Sequence, residues 1–380
     1  MAITPESVAD HIAAILPDLN KGNFESCAED LQQYPIMEIW LKKLHLEATN
    51  GLTMRKNIVQ NRTGAARHTD PASTTDRVSI PSNLLSYVTV PFRHVQTEWA
   101  YNWQVDILAN QGEASIVDLV KTRLHTAMID LADELEAKAW SLATPTNDVD
   151  PYGIPNWVVY PHDGDTGYTT GALAANPFGN FLGAMATGWT HKAGLTDLTN
   201  FKNYAATYVT VSKTDLLPSM RQGHELTFWI SPITTAQANN AATRNLRYYC
   251  GSATNRGFET LGESQNENLG RDLAPYVSGA DPDVRRDDMI GAAALTFRRH
   301  PIIFVPFLND STRFPTTIAN EPIYQIDHRT FETYCRKGDY LRQTGPTKVP
   351  DNHNNFRTFS DTSYLHICRN LRRQAVFSKA

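Results

Sequence analysis

The chain has 380 residues, 41% of them hydrophobic, which is enough to bury a sizeable core in about two or three structural units. Its 35 basic and 40 acidic residues leave a net charge of −5, which argues against a protein whose main task is to grip a phosphate backbone. No run of about 18 apolar residues is present, and the first residues lack a basic leader followed by an apolar core. We therefore expect neither a membrane span nor a secretory signal.

Residues 1–50 predict an N-terminal arm. Pro17, Gly22 and Pro35 divide it into short pieces, which we interpret as mostly helical and partly loose.

The next segment, residues 51–83, has few large apolar side chains. Turn-forming pairs at Thr63-Gly64 and Asp70-Pro71 predict a long hairpin with strands near residues 54–60 and 77–80. An isolated two-stranded ribbon is marginal in water, so we expect this hairpin to pack on a neighbouring copy of the chain. The alternative is a disordered surface loop.

A long helix is predicted over residues 113–143, after strands predicted over 84–104 from their β-branched and aromatic side chains. The segment lacks Gly and Pro, begins with a Ser115-x-x-Asp118 start signal, and stops before Pro145. Its apolar residues recur three or four apart and form one stripe: Ile116, Leu119, Val120, Leu124, Ala127, Met128, Leu131, Leu135 and Ala139. The charged residues fill much of the rest of the helix surface and form a back that we expect to face solvent or the interior of an assembly: Asp118, Lys121, His125, Asp133, Glu136 and Lys138.

Residues 144–190 are rich in Gly, Pro and Asn and predict a long irregular connection. Residues 191–321 predict a separate α/β unit. Its expected elements are helices over 195–220 and 234–249, strands over 226–232 and within 294–309, and loops over 251–290. The tail, residues 322–380, returns to strands, which we expect to pair with those at 84–104.

Motifs that carry chemistry are scarce. The sequence has no Gly-rich phosphate loop, no HExxH zinc motif and no Gly-x-Ser-x-Gly nucleophile elbow. The best metal-like set is His162, Asp163 and Asp165 with His191, in a segment whose Asp and Gly residues are ordinary turn formers. We interpret that set as a turn and expect no catalytic residue, no metal and no cofactor.

The four cysteines, Cys27, Cys250, Cys335 and Cys368, are interpreted as buried free thiols. Cys250 with His224 or His300 is the alternative, a nucleophile pair. Basic pairs such as Arg372-Arg373 are interpreted as subunit ion pairs or solvated surface, with a nucleic-acid patch as the alternative.

The order of these parts resembles the major capsid protein of tailed double-stranded DNA bacteriophages, the Hong Kong 97-type fold. Local segments are also similar to phage coat proteins: YGIPNWVVYP, YVTVSKTDLLPSMRQ, FWISP, FRRHPIIFVPFLND and the terminal HICRNLRRQAVF. The resemblance implies an α+β fold with an N-terminal arm, an extended E-loop hairpin, a long spine helix, and peripheral and axial domains. It assigns the arm to 1–50, the E-loop to 51–83, the peripheral domain to 84–190, the axial domain to 191–321 and the peripheral return to 322–380.

The implied function is a shell protein rather than an enzyme. Copies would form hexamers and pentamers of an icosahedral shell that encloses the double-stranded DNA genome without sequence-specific binding. Assembly would take place in the host bacterial cytoplasm, and the product is the virion capsid. Expected partners are further copies of the chain, a separate scaffolding protein, a portal protein and a decoration protein, with no membrane.

Five basic residues of the hairpin would face carboxylates of an adjacent subunit: Arg55, Lys56, Arg62, Arg67 and Arg77. The type member of the fold cross-links a hairpin lysine to a neighbour's asparagine; Lys56 lies in this hairpin, but no matching asparagine is identified, so no cross-link is carried over. Three alternatives remain open: an encapsulin-like nanocompartment with an enzyme cargo, a metal-dependent hydrolase using His162, Asp163, Asp165 and His191, and a carbohydrate-binding or fibre protein.

Overall fold

The computed structural model describes residues 34–37, 45–47, 51–59, 85–102, 113–141, 149–158, 190–191, 203–228, 245–263, 284–287, 294–298, 300–309, 321–350 and 352–379. The chain divides into two compact units. Unit 1 comprises residues 1–50, 92–139 and 333–365, and unit 2 comprises 51–91, 140–332 and 366–380. Both helices and sheets are present, which confirms the α+β class. The domain boundaries named above stay a prediction.

Unit 1 is built on a five-stranded sheet in the order β1-β12-β14-β13, with β4 also paired to β14. The strands are β1 His45–Glu47, β4 Arg93–Asn102, β12 Phe331–Arg336, β13 Arg342–Val349 and β14 Asn352–Cys368. β4 and β14 run antiparallel from the pair Asn102 and Asn355 to the pair Arg93 and Tyr364. This pairing confirms in part that the tail returns to the strands predicted over 84–104, since residues 93–102 pair with β14. The prediction is wrong for residues 85–91, which pair with 53–59 and 190–191, and for the tail strands over 323–327 and 375–379, which pair with 246–250 and 204–208.

Side chains of β4 alternate between the two faces of this sheet, as a half-buried antiparallel strand requires. Trp99 and Tyr101 are buried while Glu98 and Ala100 are exposed. Opposite Tyr101, Phe356 of β14 stacks on its ring with the centroids 5.2 Å apart. Aromatic cross-strand pairs of this kind fix the register of an antiparallel pair, because a one-residue slip of either strand would turn its ring to the other face.

The long helix α1 spans Glu113–Trp140, 28 residues or about 42 Å at 1.5 Å per residue. It ends three residues before the predicted end at 143. Its described stripe residues are buried at Leu124, Ala127, Leu131, Leu135 and Ala139, which confirms the predicted apolar face. Among the residues of the predicted charged back whose side chains the structure describes, Glu136 is fully buried, so the prediction is wrong there.

The N-terminal arm contributes a strand as well as a helical turn. Residues 35–37 form the turn, and β1 pairs in parallel with β12, His45 opposite Tyr334. The prediction of a mostly helical arm is therefore wrong at β1, because an open sheet edge offers this segment backbone partners that its own sequence does not reveal. Pro17 and Gly22 lie outside the described residues.

Unit 2 is built on a seven-stranded mixed sheet in the order β6-β15-β11-β7-β10-β9-β8. These strands are β6 Tyr204–Tyr208, β7 Leu246–Cys250, β8 Val284–Asp287, β9 Ala294–Phe297, β10 His300–Phe304, β11 Ile323–Asp327 and β15 Ala375–Lys379. The helices of the unit are α2 Ile154–Trp157, α3 Leu216–Thr227 and α4 Ser252–Glu263. The core has wholly buried aromatic rings from three strands of this sheet, Tyr204 of β6, Phe377 of β15 and Tyr248 of β7.

Three predicted elements of this unit are wrong in type. Residues 204–208 and 246–249 form strands where helices were expected, and residues 226–227 end helix α3 where a strand was expected. Most side chains of β6 and β7 are buried on both faces of the sheet, so the alternation that marks a strand in sequence is missing. Short apolar runs of this kind do not distinguish a buried strand from a helix. The strands predicted within 294–309 and within 322–380 are confirmed.

The loops predicted over 251–290 are also wrong, since α4 and β8 lie there. α4 is polar along most of its length and buries mainly Phe258 and Thr254. Its backbone approaches Val211 so closely that a Cβ on Gly257 would lie 2.9 Å from the valine side chain. A glycine that permits close packing reads in the sequence as a loop signal.

The predicted hairpin is a three-stranded ribbon within unit 2, with the strand order β2-β3-β5. β2 Thr53–Val59 pairs antiparallel with β3 Leu85–Pro91, and β3 pairs with the short β5 Thr190–His191. The predicted second strand at 77–80 lies outside the described residues. No helix among the described residues is long and apolar enough to cross a membrane.

Candidate functional site

The exposed face of the ribbon is the first candidate surface. Along β2, Thr53, Arg55 and Asn57 are exposed, whereas Met54 is 4% exposed and Lys56 is half-buried. Successive side chains of a strand point to opposite faces, so Arg55 and Lys56 cannot meet the same surface. The face that carries Met54 is covered by the chain's own residues. The face that carries Arg55 is open to a second molecule.

The remaining predicted contact residues of the hairpin, Arg62, Arg67 and Arg77, lie outside the described residues. The base of the ribbon is anchored by β5, where His191 pairs with Val88 and Thr190 pairs with Thr89. A third strand contributed by a segment about 100 residues further along the chain gives the ribbon the support that two strands lack.

A group of charged and polar side chains on the sheet of unit 1 forms a second candidate site, called here the aspartate cluster. Arg342 Nη2 lies 3.1 Å from Asp361 Oδ2 and 3.5 Å from Asp339 Oδ1. His94 Nδ1 lies 3.1 Å from Ser363 Oγ, and His94 Nε2 lies 3.7 Å from Asp361 Oδ1. The Ser363 hydroxyl donates to Asp339. The cluster ties β4, β14 and the turn before β13 together.

The aspartate cluster contains serine, histidine and aspartate, the residue types of a hydrolase triad, but its hydrogen bonds differ. A nucleophilic serine donates its proton to the histidine base. The Ser363 proton is instead donated to Asp339, which is itself paired with Arg342. The arrangement joins strands through shared hydrogen bonds and ion pairs.

A buried ion pair lies at one end of the unit 2 sheet. Asp327 is fully buried, and its Oδ2 lies 3.4 Å from Nη1 of Arg373, which is 8% exposed. The backbone N–H groups of Asn245 and Arg329 donate to Asp327 Oδ1 at 3.2 and 3.1 Å. Arg373, interpreted from sequence as a subunit contact or solvated, is instead an internal partner, while its neighbour Arg372 is exposed.

Glu136 has a structural role that the sequence did not predict. Its carboxylate accepts hydrogen bonds from the backbone N–H groups of Ile36 at 3.3 Å and Met37 at 2.9 Å. The arm is thereby fastened to α1 at the helical turn of residues 35–37. The sequence signal for the burial of Glu136 was its small and apolar neighbours, Leu135, Ala137 and Ala139. All three are buried in the structure.

The described thiols, Cys250, Cys335 and Cys368, are buried and free, as expected. Burial raises the pKa of the Cys335 and Cys368 thiols to about 12 and that of Cys250 further still. Because the nucleophile is the thiolate, such protonated thiols do not fit the alternative of a cysteine–histidine pair. Cys27 lies outside the described residues.

The histidines of that alternative contact each other and a tyrosine. The His224 and His300 rings lie 5.5 Å apart, and His224 Nδ1 is 3.3 Å from the Tyr248 hydroxyl. Of the metal-like set, only His191 is described; His162, Asp163 and Asp165 lie outside the described residues. Within the described part of the chain, no group of three metal-ligating side chains is found.

Comparison with solved structures identifies the fold. The chain matches the capsid of cyanophage A-1(L) with a TM-score of 0.54 at 11% identity, over 94% of this chain and 96% of that one. It matches the capsid of a native GTA particle with a TM-score of 0.50 at 11% identity, over 95% of each chain. No family model and no curated protein matches the sequence. The Hong Kong 97-type capsid fold predicted from the sequence is thus confirmed.

Proposed function

Because the chain has the fold of tailed-phage capsid proteins, we propose that it is a major capsid protein. Copies of it assemble as hexamers and pentamers into an icosahedral shell that encloses the double-stranded DNA of a phage. The observation that carries this proposal is the extent of the structural match, which covers 94% of this chain and 96% of the cyanophage capsid chain.

The mechanism of such a protein is geometry rather than catalysis. Each subunit makes many weak contacts, and closed symmetry makes them act together. The open face of the ribbon would lie on an adjacent subunit, with Arg55 against carboxylates there, and Arg62, Arg67 and Arg77 further along the hairpin would act alike. Lys56 lies on the other face, which the chain's own residues cover, so it would not meet that subunit. Each exposed ion pair contributes about 0–1 kcal/mol, so the effect depends on the number of copies.

The net charge of the chain supports the role of a shell that encloses DNA. A net charge of −5 reduces adhesion to DNA, which such a shell must admit and release. The proposed partners are a scaffolding protein and a portal protein during assembly in the bacterial cytoplasm, and a decoration protein on the finished virion.

Assembly is tested directly by size-exclusion chromatography and negative-stain electron microscopy of the purified chain, alone and with its scaffolding protein. The proposal predicts shells, or rings of five and six subunits. A stable dimer or trimer that never assembles further would refute it. An encapsulin-like shell would also assemble, so the particle contents must be examined: DNA supports the phage capsid, and an enzyme cargo supports the nanocompartment.

The role of the ribbon needs a variant that alters one face only. Arg55→Glu reverses the charge on the open face and is expected to reduce the yield of shells while the subunit stays folded. Thr53→Glu, on the same face, is the matched control for added negative charge without loss of the arginine. Deleting residues 60–75 should block assembly as well. Shells of unchanged yield from both the deletion and Arg55→Glu would refute the role of the ribbon.

A further inference from the structure

A half-open pocket of about 200 Å³ lies in unit 1, between α1, the helical turn of the arm and the five-stranded sheet. Met128, Leu131 and Leu135 of α1 form one wall. Met37 of the arm closes one side, and Cys335 of β12 and Tyr364 of β14 form the floor on the sheet.

The walls of the pocket are uncharged. The Cys335 thiol is neutral because burial raises its pKa to about 12. The oxygen of the Thr362 hydroxyl, in the lining, already accepts a hydrogen bond from the Leu341 N–H at 2.9 Å. A charged or strongly polar ligand would lose its hydration here without compensation. An apolar ligand would not.

The volume of the pocket limits the size of the ligand that it can bind. An apolar cavity of roughly 150 Å³ in another protein stays dry and takes up benzene or xenon. From the larger volume and the uncharged lining we propose that this pocket binds a neutral, apolar molecule about the size of a substituted benzene. The thioethers of Met37 and Met128 suit such a ligand, because sulfur makes favourable contacts with the edges of aromatic rings.

Occupancy of the pocket has a consequence for the unit. Met37, which lines one side of the pocket, is positioned by Glu136, whose carboxylate accepts a hydrogen bond from the Met37 N–H at 2.9 Å. A ligand that fills the gap touches the arm, α1 and the sheet at once. It therefore stabilises the arrangement in which these three parts are docked, by the linkage between binding and folding.

The two methionines in the pocket provide a direct test with toluene as the probe. The chain is labelled with ¹³C at its methionine methyl groups, and the methionine signals are assigned by single Met→Leu substitutions. Addition of toluene should shift the signals of Met37 and Met128 in a saturable way. Those of the buried Met54 and Met220, which lie outside the pocket, should stay in place.

Filling the pocket should abolish the response. Ala132 lines the pocket on α1, so Ala132→Leu occupies the space that toluene would take. Thr126→Leu adds the same side chain at an exposed position of the same helix and serves as the control. The melting temperature should rise with toluene concentration in the wild type and in Thr126→Leu, and should not change with toluene in Ala132→Leu. Equal responses of both variants, or no saturable shift at Met37 and Met128, would refute the proposal.

Discussion

Two of the places where carboxylates meet arginines in this chain differ mainly in exposure to water. In unit 2, the side chains of Asp327 and Arg373 are 0% and 8% exposed. In unit 1, Arg342 is 55% exposed and bridges Asp361 and Asp339, which are 11% and 15% exposed. The residue types and distances are alike, but water solvates only one of the arginines. We therefore expect the same substitution to have very different costs at the two sites.

The largest effect is expected from Arg373→Met. It leaves the Asp327 charge in the core with backbone donors only, and breaking a buried pair in this way costs about 3–5 kcal/mol. Urea unfolding followed by tryptophan fluorescence measures the change in free energy. The control is Arg372→Met, at the exposed neighbouring residue, where a change within about 0.5 kcal/mol is expected. Equal destabilisation by the two variants would show that the pair with Asp327 has no special weight.

The next effect concerns two glutamates on α1, which again differ in exposure. Glu136→Gln keeps one acceptor oxygen and places an amide group against a backbone N–H, so one buried donor at Ile36 or Met37 is left unsatisfied at a cost of about 1–3 kcal/mol. Glu134, 48% exposed and 3.7 Å from Lys138, is the control. For Glu134→Gln we expect less than about 0.5 kcal/mol. Limited proteolysis of the arm gives a second measurement, since only Glu136→Gln should speed cleavage.

A smaller effect is expected from acid. Burial lowers the pKa of His366 from 6.5 to about 3, so the folded chain holds this ring neutral where the unfolded chain would protonate it. Its contribution is complete above pH 6.5 and is lost as the pH falls from 6.5 towards 3, at about 1 kcal/mol per pH unit. Comparing urea midpoints at pH 7 and 5.5 for the wild type and His366→Leu measures it. The leucine variant should lose less stability on acidification; an identical loss would contradict the assignment.

The parts of the fold that could be predicted are those whose sequence pattern matches their surroundings. Strand β4 alternates because one of its faces is buried and the other is exposed, and α1 shows a stripe because sheet and arm cover mainly one side of it. Strands β6 and β7 are buried on both faces and carry no such pattern. Helix α4 buries few large side chains and uses Gly257 for close packing, so its composition is that of a loop.

The buried polar contacts were harder to predict than the fold, because the residues that form each contact are distant in the sequence. Glu136 accepts its hydrogen bonds from residues about 100 positions earlier. Arg373 pairs with Asp327, and no short sequence motif links these two residues. A charged residue in a helix or a basic pair near a terminus is usually solvated, so composition alone favours the surface. Burial of these groups is decided by which elements pack on them, and that information is not local.

The smallest effect is expected at the aspartate cluster. Arg342→Met removes an arginine that water already solvates, so the pair contributes less than about 1 kcal/mol. High salt should increase the difference in cost between Arg342→Met and Arg373→Met. At about 1 M NaCl, where charges are screened beyond about 3 Å, the cost of Arg342→Met should disappear, whereas that of Arg373→Met should remain because water and ions do not reach Asp327. Urea midpoints at low and high salt for both variants measure this difference. A cost of Arg342→Met that exceeds 1 kcal/mol and persists in salt would mean that the cluster holds the sheet as firmly as the buried pair does.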